Sequence, residues 1–416
     1  VIPTRNRAFT LHHAIRSALN QSDLDLEIIV SDNNSFDGTK AVVECFNDPR
    51  IKYVNTGRDL SMVHSWEFAV SHATKEWITL LGDDDALLPN ALSRVVSLSS
   101  LFHVDAICSQ TGIYYWPGIF GLSHGLLALP LENVSRVSCS LNVVSQVLSG
   151  LAPYSRLPVL YTGGFVKRTF ISKIKSLTPD HVLYCSQTPD VYSAMALAHV
   201  LPKFLYTTEL LAISGLSSSS NGSNYISSDT ANKVSSITRS HFSSPGISSH
   251  PDLPVRPDGR PFQSLHFFVY ETYLQLPSAI KATLSLTVDP IEQVQIMLAK
   301  TRQSNRKDGL DWVKQYCQLH EVPLRNVLTW KILWYRVLFR ISVFASRISR
   351  MPYRYHLGPA ASDSIDTISE ALLVAEKIQL STPSRFDCLI SQLRKMNKMK
   401  SDQSAREHIG RIRSLR

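Results

Sequence analysis

The sequence predicts an α/β fold, with a mostly parallel sheet flanked by helices, followed by a mainly helical and basic C-terminal region. Three observations predict this fold class. Short apolar runs alternate with helically patterned segments from Val1 to Asp85, which is typical of parallel strands joined by helices. Polar and acidic residues directly follow several of these runs. From about residue 261 the apolar spacing is helical and basic residues accumulate.

The first elements follow from the spacing of apolar residues. The segment VIPTRN ends a predicted strand, and TLHHAIRSALNQ is predicted to form a helix with Thr10 as its N-cap. The same reasoning predicts, in order, the strand LEIIVSDN, the helix GTKAVVECFND, the strand IKYVNT, the helix LSMVHSWEFAVSHAT, the strand EWITLLGDDD and a helix that begins near Pro89. Because crossovers between parallel strands are right-handed, residues 3–6, 31–34 and 83–85 are expected at one sheet edge, where α/β folds bind ligands.

The chain is predicted to divide into three parts. Residues 1–215 hold the alternating elements and two further strand-like segments, VDAICSQTGIYYW and PVLYTGGFVKR. Residues 216–260 are rich in serine and poor in apolar residues, so they are predicted to form a loop or flexible segment. Residues 261–416 are predicted to form the helical basic region.

The composition is that of an ordinary globular chain, since 44% of the 416 residues are hydrophobic and 19% are charged. The six cysteines are scattered without C-x-x-C or His/Cys metal spacing, which argues for a reducing compartment and against structural zinc. No signal peptide or long uncharged apolar run is visible, so neither secretion nor a spanning helix is predicted. Val1 opens inside a strand-like run, and a few preceding residues are expected in the native protein.

The positive charge predicts an anionic partner. A net charge of +9 and a pI near 9.2 fit nucleic acid, a nucleotide diphosphate or an acidic membrane surface. Nucleic acid is not expected, because no recognised reading motif accompanies the charge. In WKILWYRVLFRISVFASRISR one helix face gathers four arginines: Arg336, Arg340, Arg347 and Arg350. Two interpretations stay open for this helix, an anionic membrane interface and a C-terminal bundle with a solvated arginine face.

The run WITLLGDDDALLPNAL places three adjacent carboxylates at the end of an apolar strand. Carboxylates at this spacing can share a divalent cation such as Mn²⁺ or Mg²⁺, because hard cations prefer oxygen ligands and remove the mutual repulsion. The alternative is a charged turn in which the aspartates cap the next helix. No G-x-G-x-x-G motif or P-loop follows the first strand, which disfavours dinucleotide-dependent oxidoreductases and P-loop NTPases. A metal on the aspartates would then neutralise nucleotide phosphates.

Asp32 ends the second predicted strand and also has two interpretations. Its carboxylate can accept hydrogen bonds from a nucleobase N–H or a ribose hydroxyl. The segment SDNNSFDGT is equally good turn chemistry, in which Asp32 would make an Asx-turn.

Four motifs follow one another along the chain: VIPTRNRAFTLHHAIRSALNQ, EIIVSDNNSFDGT, EWITLLGDDDALLPNAL and PDVYSAMALA. Together they resemble the family 2 glycosyltransferases, which have the GT-A fold. The resemblance covers about the first half of the chain and does not extend to the basic C-terminal part. It implies that residues 1–215 form a GT-A domain that binds a nucleotide sugar and carries the catalytic site.

The resemblance implies roles for residues of the nucleotide site. Pro3, Thr4 and Asn6 would border the nucleoside, Asp32 would bond the base, and Arg58 in NTGRDLS would contact base or phosphate. The aspartates correspond to the family's D-x-D motif, but Gly82 stands where the common form has its first acid. Asp83 and Asp84 are therefore both expected at the nucleotide without a decision on which faces the ribose. Asp85 is predicted as the metal ligand, with Asp83 as a second choice.

The resemblance also implies a general base and an acceptor side. Asp190 matches the base position in QTPDVYSAMALA, although an aspartate after proline at a helix start is also ordinary capping chemistry. Gly163 and Gly164 in YTGGFVKR would let the backbone approach a sugar closely, or simply make a turn. Family members often add a later histidine to the metal shell, and His241 is the residue that would do so here.

The predicted function is an inverting transfer of sugar from a nucleotide diphosphate-sugar to a hydroxyl, on a saccharide or lipid-linked acceptor. The family resemblance and the basic helix predict work in bacterial surface polysaccharide or glycolipid assembly, in the cytoplasm or peripherally on the inner membrane face. Two alternatives stay open. A metal-dependent nucleotidyltransferase would share the metal-bound nucleotide but would not need Asp190. A non-catalytic nucleotide-sugar-binding or scaffold module would bind the donor without turnover.

Overall fold

A computed structural model gives the fold of the 416-residue chain. The structure describes residues 1–21, 25–119, 122, 124–130, 133–218, 247–255, 262, 264–301, 306–349, 353–357 and 366–380. The predicted Ser-rich segment at 216–260 falls mainly outside the described residues, and so does His241.

The described residues form an α/β fold in which strands and helices alternate along the first half of the chain. The strands are β1 (Ile2–Thr4), β2 (Ile28–Asp32), β3 (Ile51–Asn55), β4 (Trp77–Ile78), β5 (Ala86–Leu87), β6 (Ala106–Ser109), β7 (Gly112–Tyr115), β8 (Leu126–Pro130), β9 (Ser135–Cys139), β10 (Gly164–Lys167), β11 (Lys203–Thr207), β12 (Ala212–Leu216) and β13 (Tyr353–Leu357).

Helices flank these strands and fill most of the C-terminal region. They are α1 (Ala8–Leu19), α2 (Thr39–Glu44), α3 (Met62–Ser71), α4 (Ala91–Phe102), α5 (Ser140–Leu148), α6 (Arg168–Ser176), α7 (Pro189–Val200), α8 (Leu265–Gln275), α9 (Ser278–Lys281), α10 (Pro290–Lys300), α11 (Arg306–Leu319), α12 (Leu324–Val327), α13 (Lys331–Ser349) and α14 (Ile368–Leu380). A short 3₁₀ helix spans Tyr154–Arg156.

The strands make one parallel sheet and two mixed sheets. β1, β2 and β3 pair in parallel and in chain order. The second sheet has the order β4-β10-β6-β11-β9 and the third β13-β8-β7-β12-β5, and each contains one parallel pair among antiparallel ones. The prediction of an α/β fold with parallel strands flanked by helices, followed by a helical C-terminal region, is confirmed.

The first helix begins earlier than its sequence predicts. The N-cap residue of α1 is Arg7, and Thr10 lies within the helix, so the prediction of Thr10 as the N-cap is wrong. The side chain of Asp37 explains the earlier start, because its Oδ2 accepts a hydrogen bond from the backbone N of Ala8 at 3.0 Å. That bond satisfies an amide that otherwise lacks an intrahelical partner. The Thr10 hydroxyl instead donates to the Arg7 carbonyl at 3.3 Å.

The apolar run before the aspartates forms a shorter strand than expected. β4 contains only Trp77 and Ile78. The segment after β4 is bonded to the residue before β1. The N-terminal amino group of Val1 donates to the Thr79 carbonyl, and Leu81 N donates to the Val1 carbonyl, each at 2.9 Å. These bonds place the aspartates beside the end of β1.

The aspartates do not cap the following helix. α4 begins at Ala91 with Asn90 as its N-cap, and β5 lies between the aspartates and this helix. The interpretation of the triplet as a capping turn is therefore wrong, because the N-cap of α4 lies five residues after Asp85.

The C-terminal region packs against the first half of the chain through several of its elements. α8 lies against α7, and Val269 and Leu276 join the apolar core that also contains Val191 and Met195 of α7. Further along, β13 pairs with β8, and α14 packs against α1, β5 and β12. A separate core within this region is built around the buried side chain of Trp312. Among the described helices, none combines the length and the apolar character needed to cross a membrane.

A glycine substitution tests the packing before β10. A Cβ on Gly164 would overlap the Val159 carbonyl oxygen, so we expect Gly164→Ala to lower the free energy of unfolding by about 1–3 kcal/mol, as overpacked sites do. Urea unfolding followed by circular dichroism measures the change.

Gly309→Ala is the matched control. Gly309 lies in α11, where a Cβ would make only ordinary contacts of 3.4 Å or more with Phe262 and Leu298. We expect this variant to be stabilised by about 0.5–1 kcal/mol, because alanine favours a helix interior over glycine. Equal unfolding free energies for the two variants would contradict the packing described for Gly164.

Candidate active site

Three polar strand ends meet at one edge of the structure. Thr4 of β1 is in register with Asp32 of β2, and Asp32 with Asn55 of β3. The Thr4 hydroxyl also donates to Oδ2 of Asp83 at 2.7 Å. The expectation that these strand ends lie together therefore holds for Thr4, Asp32 and Asp83.

Asp83 is buried and paired with a cation. Its Oδ1 accepts a hydrogen bond from Nη1 of Arg7 at 2.8 Å, while its Oδ2 is bonded to Thr4. Burial raises the pKa of the Asp83 carboxyl, and the positive charge of Arg7 opposes that rise. The charge of Asp83 is thus compensated within the chain.

Asp84 points to a different set of partners. Its Oδ2 accepts from the Ser217 hydroxyl at 2.8 Å and lies 3.6 Å from Nη1 of Arg7. Its backbone carbonyl accepts from the indole N–H of Trp116 at 3.2 Å. Through Asp84 the aspartate triplet is therefore bonded to the residue that follows β12 of the third sheet.

Asp85 is the most deeply buried of the three aspartates. Its Oδ1 accepts from the backbone N of Gly215 at 2.6 Å, and its Oδ2 accepts from Gly82 N at 3.2 Å and from the Thr162 hydroxyl. Burial and the nearby charge of Asp84 raise the pKa of the Asp85 carboxyl to about 8. Within the described part of the chain no lysine, arginine or histidine forms an ion pair with it.

Two glycines are required by this crowding. A Cβ on Gly82 would overlap the Asp85 carboxylate and the Tyr161 hydroxyl, and one on Gly215 would overlap the Asp84 carbonyl oxygen. The missing acid at position 82 therefore has a steric reason, because a side chain there would displace the Asp85 carboxylate or the Tyr161 hydroxyl.

Asp32 is buried, and its carboxylate accepts hydrogen bonds from three residues of the first half of the chain. Its Oδ1 accepts from the backbone N of Ser35 at 2.9 Å and so orders the turn after β2, but an Asx-turn would bond the amide two residues on rather than three. Its Oδ2 accepts from the Tyr53 hydroxyl at 2.6 Å and from Nδ2 of Asn55 at 3.1 Å. The turn and a contact to a nucleobase are not exclusive, since a carboxylate has about four lone-pair sites.

The remaining predicted nucleotide residues surround this turn. Asn6 has φ 53° and its Oδ1 accepts from Phe36 N at 3.0 Å, so it joins the end of β1 to the Asp32 turn. Pro3 lies in β1 in register with Ser31. Arg58 is exposed, and its carbonyl accepts from the Thr56 hydroxyl at 2.7 Å. The nucleotide-binding roles of these residues stay predictions.

Asp190 lies in the first turn of α7 and is not its N-cap, which is Thr188. The carboxyl is half-buried, and its Oδ2 accepts a hydrogen bond from the Tyr154 hydroxyl at 2.7 Å. Burial raises the pKa of Asp190 above its ordinary value, while the Tyr154 bond and the nearby backbone amides oppose the rise. A carboxyl with a raised pKa can accept a proton.

One segment connects Asp190 with the aspartate triplet. Tyr154 bonds Asp190, Leu160 N donates to the Ser193 hydroxyl at 3.2 Å, and Thr162 bonds Asp85. Between them, Tyr161 stacks on Trp66 with ring centroids 5.1 Å apart. Residues 154–162 therefore bond both carboxylates that the sequence singles out for metal binding and proton transfer.

The backbone itself explains the paired glycines. Gly163 has φ +87°, and a Cβ there would overlap the Ser109 carbonyl oxygen. Gly164 donates its N–H to the Tyr161 carbonyl at 2.7 Å, close against Val159. Both positions need glycine to form this turn, and their role on the acceptor side stays a prediction.

The described residues offer a cation one buried carboxylate rather than a complete metal cage. In the described ranges no group of three or more histidine, cysteine, aspartate or glutamate side chains is arranged to hold a metal ion. Asp85 nevertheless offers a buried carboxylate without an ionic partner among those residues, next to Asp83, whose charge Arg7 compensates. Such a carboxylate suits Mn²⁺ or Mg²⁺ whose other ligands are water and diphosphate oxygens.

Sequence reasoning missed the residues that hold the aspartates in place. Arg7, Thr162, Ser217 and Tyr154 all contact a predicted site carboxyl from at least 36 positions away. Arg7 is the one with a local signal, since it lies in the same PTRNR segment as Thr4 and Asn6.

The N-terminal part of the chain matches a known family. The model described as Glycosyl transferase family 2 matches residues 1–125. A Campylobacter jejuni protein named GalNAc(5)-diNAcBac-PP-undecaprenol beta-1,3-glucosyltransferase is 43% identical over 99 residues, which cover 23% of this chain and 32% of that protein. The abequosyltransferase RfbV of Salmonella typhimurium is 37% identical over 101 residues, or 22% of this chain and 29% of that protein.

These alignments span about a third of each relative. Among solved structures, S. aureus TarS 1-349 in complex with UDP-GlcNAc has a TM-score of 0.45 and 14% identity, covering 84% of this chain and 90% of that one. The matched segment of this chain contains Thr4, Asp32 and the aspartate triplet. Residues 1–125 of this chain are therefore similar to glycosyl transferase family 2.

Proposed function

We propose that this chain is an inverting glycosyltransferase that moves a sugar from a nucleotide diphosphate-sugar to an acceptor hydroxyl. The observation that carries the proposal is the segment at 154–162, which bonds Asp190 through Tyr154 and Asp85 through Thr162. A carboxyl suited to take a proton and a carboxylate suited to a cation are thereby fixed relative to one another. The family match over residues 1–125 supports the same reaction class.

The chain's own residues would divide the reaction between two sides. The strand ends at Thr4, Asp32 and Asp83 would hold the nucleoside, and Asp32 would accept its hydrogen bonds. As the acceptor oxygen bonds to the anomeric carbon, the bond from that carbon to the diphosphate oxygen breaks. Asp190 takes the proton of the attacking hydroxyl in the same step. In-line displacement of this kind inverts the configuration at the anomeric carbon.

Mn²⁺ or Mg²⁺ is the proposed cofactor. Asp85 would supply a carboxylate oxygen to the cation, and Asp83 is the second choice because Arg7 already compensates its charge. When bound, such a cation stabilises the negative charge that develops on the departing diphosphate. Asp84, bonded to Ser217 and near Arg7, would stay on the nucleotide side.

The proposed partners are a nucleotide diphosphate-sugar donor and a saccharide or lipid-linked acceptor, and no nucleic acid. The first relative's name includes an undecaprenol diphosphate carrier, which supports a lipid-linked acceptor here. We place the work of the chain in surface polysaccharide or glycolipid assembly, on the cytoplasmic face of the cell membrane. A nucleotidyltransferase and a non-catalytic donor-binding module are the alternatives.

A donor panel with Asp85→Asn tests the cation site. We expect one nucleotide sugar of the panel to bind by calorimetry with Mn²⁺ and to bind at least about ten-fold more weakly with EDTA or in the variant, because a ligand to the cation is lost. Asp180→Asn, which changes an exposed aspartate in a turn, is the control and should bind like the parent chain. If no donor binds, or if Asp85→Asn binds as the parent does, the proposed cation site is wrong.

Asp190→Asn tests the general base. We expect the release of nucleoside diphosphate from the bound donor, with water as acceptor, to fall by about 10²–10⁴-fold, because asparagine cannot take the proton. Donor binding should be unchanged. Asp180 and Asp190 each end a Thr-Pro-Asp tripeptide, so Asp180→Asn is a closely matched control. Full activity in Asp190→Asn would favour the nucleotidyltransferase, and donor binding without release in the parent chain would favour the non-catalytic module.

The pH profile of Tyr154→Phe tests how Asp190 is tuned. The Tyr154 hydroxyl donates to the ionised carboxylate, so its loss should raise the pKa of Asp190 further. Because the base acts when ionised, the acidic limb of the rate profile should move to higher pH by about one unit. Tyr335→Phe removes a phenol-to-carboxylate bond to Glu292 in the C-terminal region and should leave the limb in place. An unmoved limb in Tyr154→Phe would exclude Asp190 as the group that the profile reports.

A further inference from the structure

The outer face of α13 carries an apolar stripe that no described residue covers. Trp330, at the start of the helix, is 72% exposed, and Leu333, Trp334 and Ile341 are 65%, 48% and 57% exposed. Val337 is also exposed. At about 100° per residue these five side chains fall within one third of the helix circumference. We call them the α13 stripe.

The opposite side of α13 fixes the orientation of this stripe. The Tyr335 hydroxyl donates to Glu292, and Arg336 Nη2 donates to the Leu298 carbonyl at 3.4 Å. The Lys300 ammonium lies 5.2 Å from the centroid of the Phe339 ring. One side of α13 therefore packs on α10, as the bundle interpretation of this helix predicts, and the other side presents the stripe.

Positive charge borders the stripe on both sides. Lys331 and Arg340 are exposed and flank the apolar positions on the helix wheel. Residues 322–362 contain no aspartate or glutamate, and they hold seven basic residues: Arg325, Lys331, Arg336, Arg340, Arg347, Arg350 and Arg354. A soluble partner helix would need only the apolar residues, whereas an anionic surface matches both the apolar stripe and the charge.

We propose that the α13 stripe is a membrane-docking surface that lies in the headgroup region of an anionic lipid bilayer. Its two tryptophans have the apolar body and the polar N–H that suit this interface. The aliphatic residues enter the upper acyl region, and Lys331 and Arg340 contact lipid phosphates. Through this surface the chain would reach the lipid-linked acceptor of the proposed function. Docking to the bilayer does not itself require sugar transfer, so it can be tested separately.

Vesicle binding without donor or acceptor tests the docking surface. The 416-residue chain is floated with phosphatidylcholine vesicles that contain, or lack, about a quarter phosphatidylglycerol. We expect binding to the anionic vesicles only, and weaker binding as salt is added. Leu333→Glu should reduce the binding about ten-fold or more, because it removes buried apolar area and adds a negative charge. Lys331→Glu with Arg340→Glu should reduce it comparably.

Leu101→Glu is the matched control for this experiment. Leu101 on α4 is 66% exposed, nearly the same as Leu333, and it lies outside the stripe. We expect this variant to float like the parent chain and all variants to unfold at the same urea concentration. Equal loss in Leu101→Glu and Leu333→Glu would overturn the proposal.

Tryptophan quenching by brominated lipids locates the contact independently. Vesicles of brominated phosphatidylcholine and phosphatidylglycerol should quench the fluorescence of the parent chain, and Trp330→Phe with Trp334→Phe should abolish the quenching. Trp116 and Trp312 are buried, and the half-buried Trp66 and Trp77 lie in α3 and β4, outside the stripe, so these four should contribute none. Absence of quenching would overturn the proposal. A chain that binds no vesicles and forms a dimer by light scattering, which Leu333→Glu dissociates, would also overturn it, because the stripe would then bind a second copy.

Discussion

The burial of three consecutive carboxylates is the constraint on which the rest of the site depends. A carboxylate removed from water must receive hydrogen bonds or a positive charge, because an uncompensated buried charge is strongly destabilising. Neighbouring side chains point in different directions, so residues 83–85 cannot share one set of donors. Each carboxylate is bonded from distant parts of the chain: Thr4 and Arg7 for Asp83, Ser217 for Asp84, and Thr162 with Gly215 for Asp85. The first strand, the turn before β10 and the end of β12 must therefore converge on one point, and glycines at 82 and 215 leave room for them.

The order of helices and strands was predictable because it depends on the spacing of apolar residues within each short segment. In α1 the buried residues Leu11, Ala14, Ile15 and Ala18 follow the helical period. β2 begins with three consecutive apolar residues, 28–30, as strands covered on both faces require. The ends of elements were less predictable. Asp37 sets the start of α1 from 29 residues away, and β4 is short because Val1 bonds the chain that follows it. Such contacts depend on the tertiary arrangement, and no local pattern carries them.

Two identical tripeptides, one of them at the candidate site, also show that local sequence does not predict tertiary contacts. Thr-Pro-Asp occurs at residues 178–180 and again at 188–190. Asp180 is exposed in a turn, while Asp190 is half-buried against Tyr154 at the start of α7. The apolar run after Asp190 predicts a helix, but only the family resemblance distinguished a base from a cap. The partner that sets its environment comes from a 3₁₀ helix 36 residues earlier, which carries no sequence signal of its own. The residue types of the site were therefore predictable, and the donors that tune them were not.

The C-terminal region also bears on the proposed base, although it lies outside the stretch that resembles the family. Glu271 of α8 is buried, and its Oε2 accepts a hydrogen bond from the Ser186 hydroxyl at 2.8 Å. Burial raises the pKa of Glu271, while bonds from Gln275 and Ser186 oppose the rise. Ser186 stands two residues before Thr188, the N-cap of α7, so this bond fixes the approach to the helix that carries Asp190. Tyr154 holds the carboxyl from one side and α8 holds the preceding loop from another. A helix beyond residue 261 thus helps to set the geometry of a carboxyl within the first 215 residues, because a buried polar loop must be bonded by whichever element packs on it.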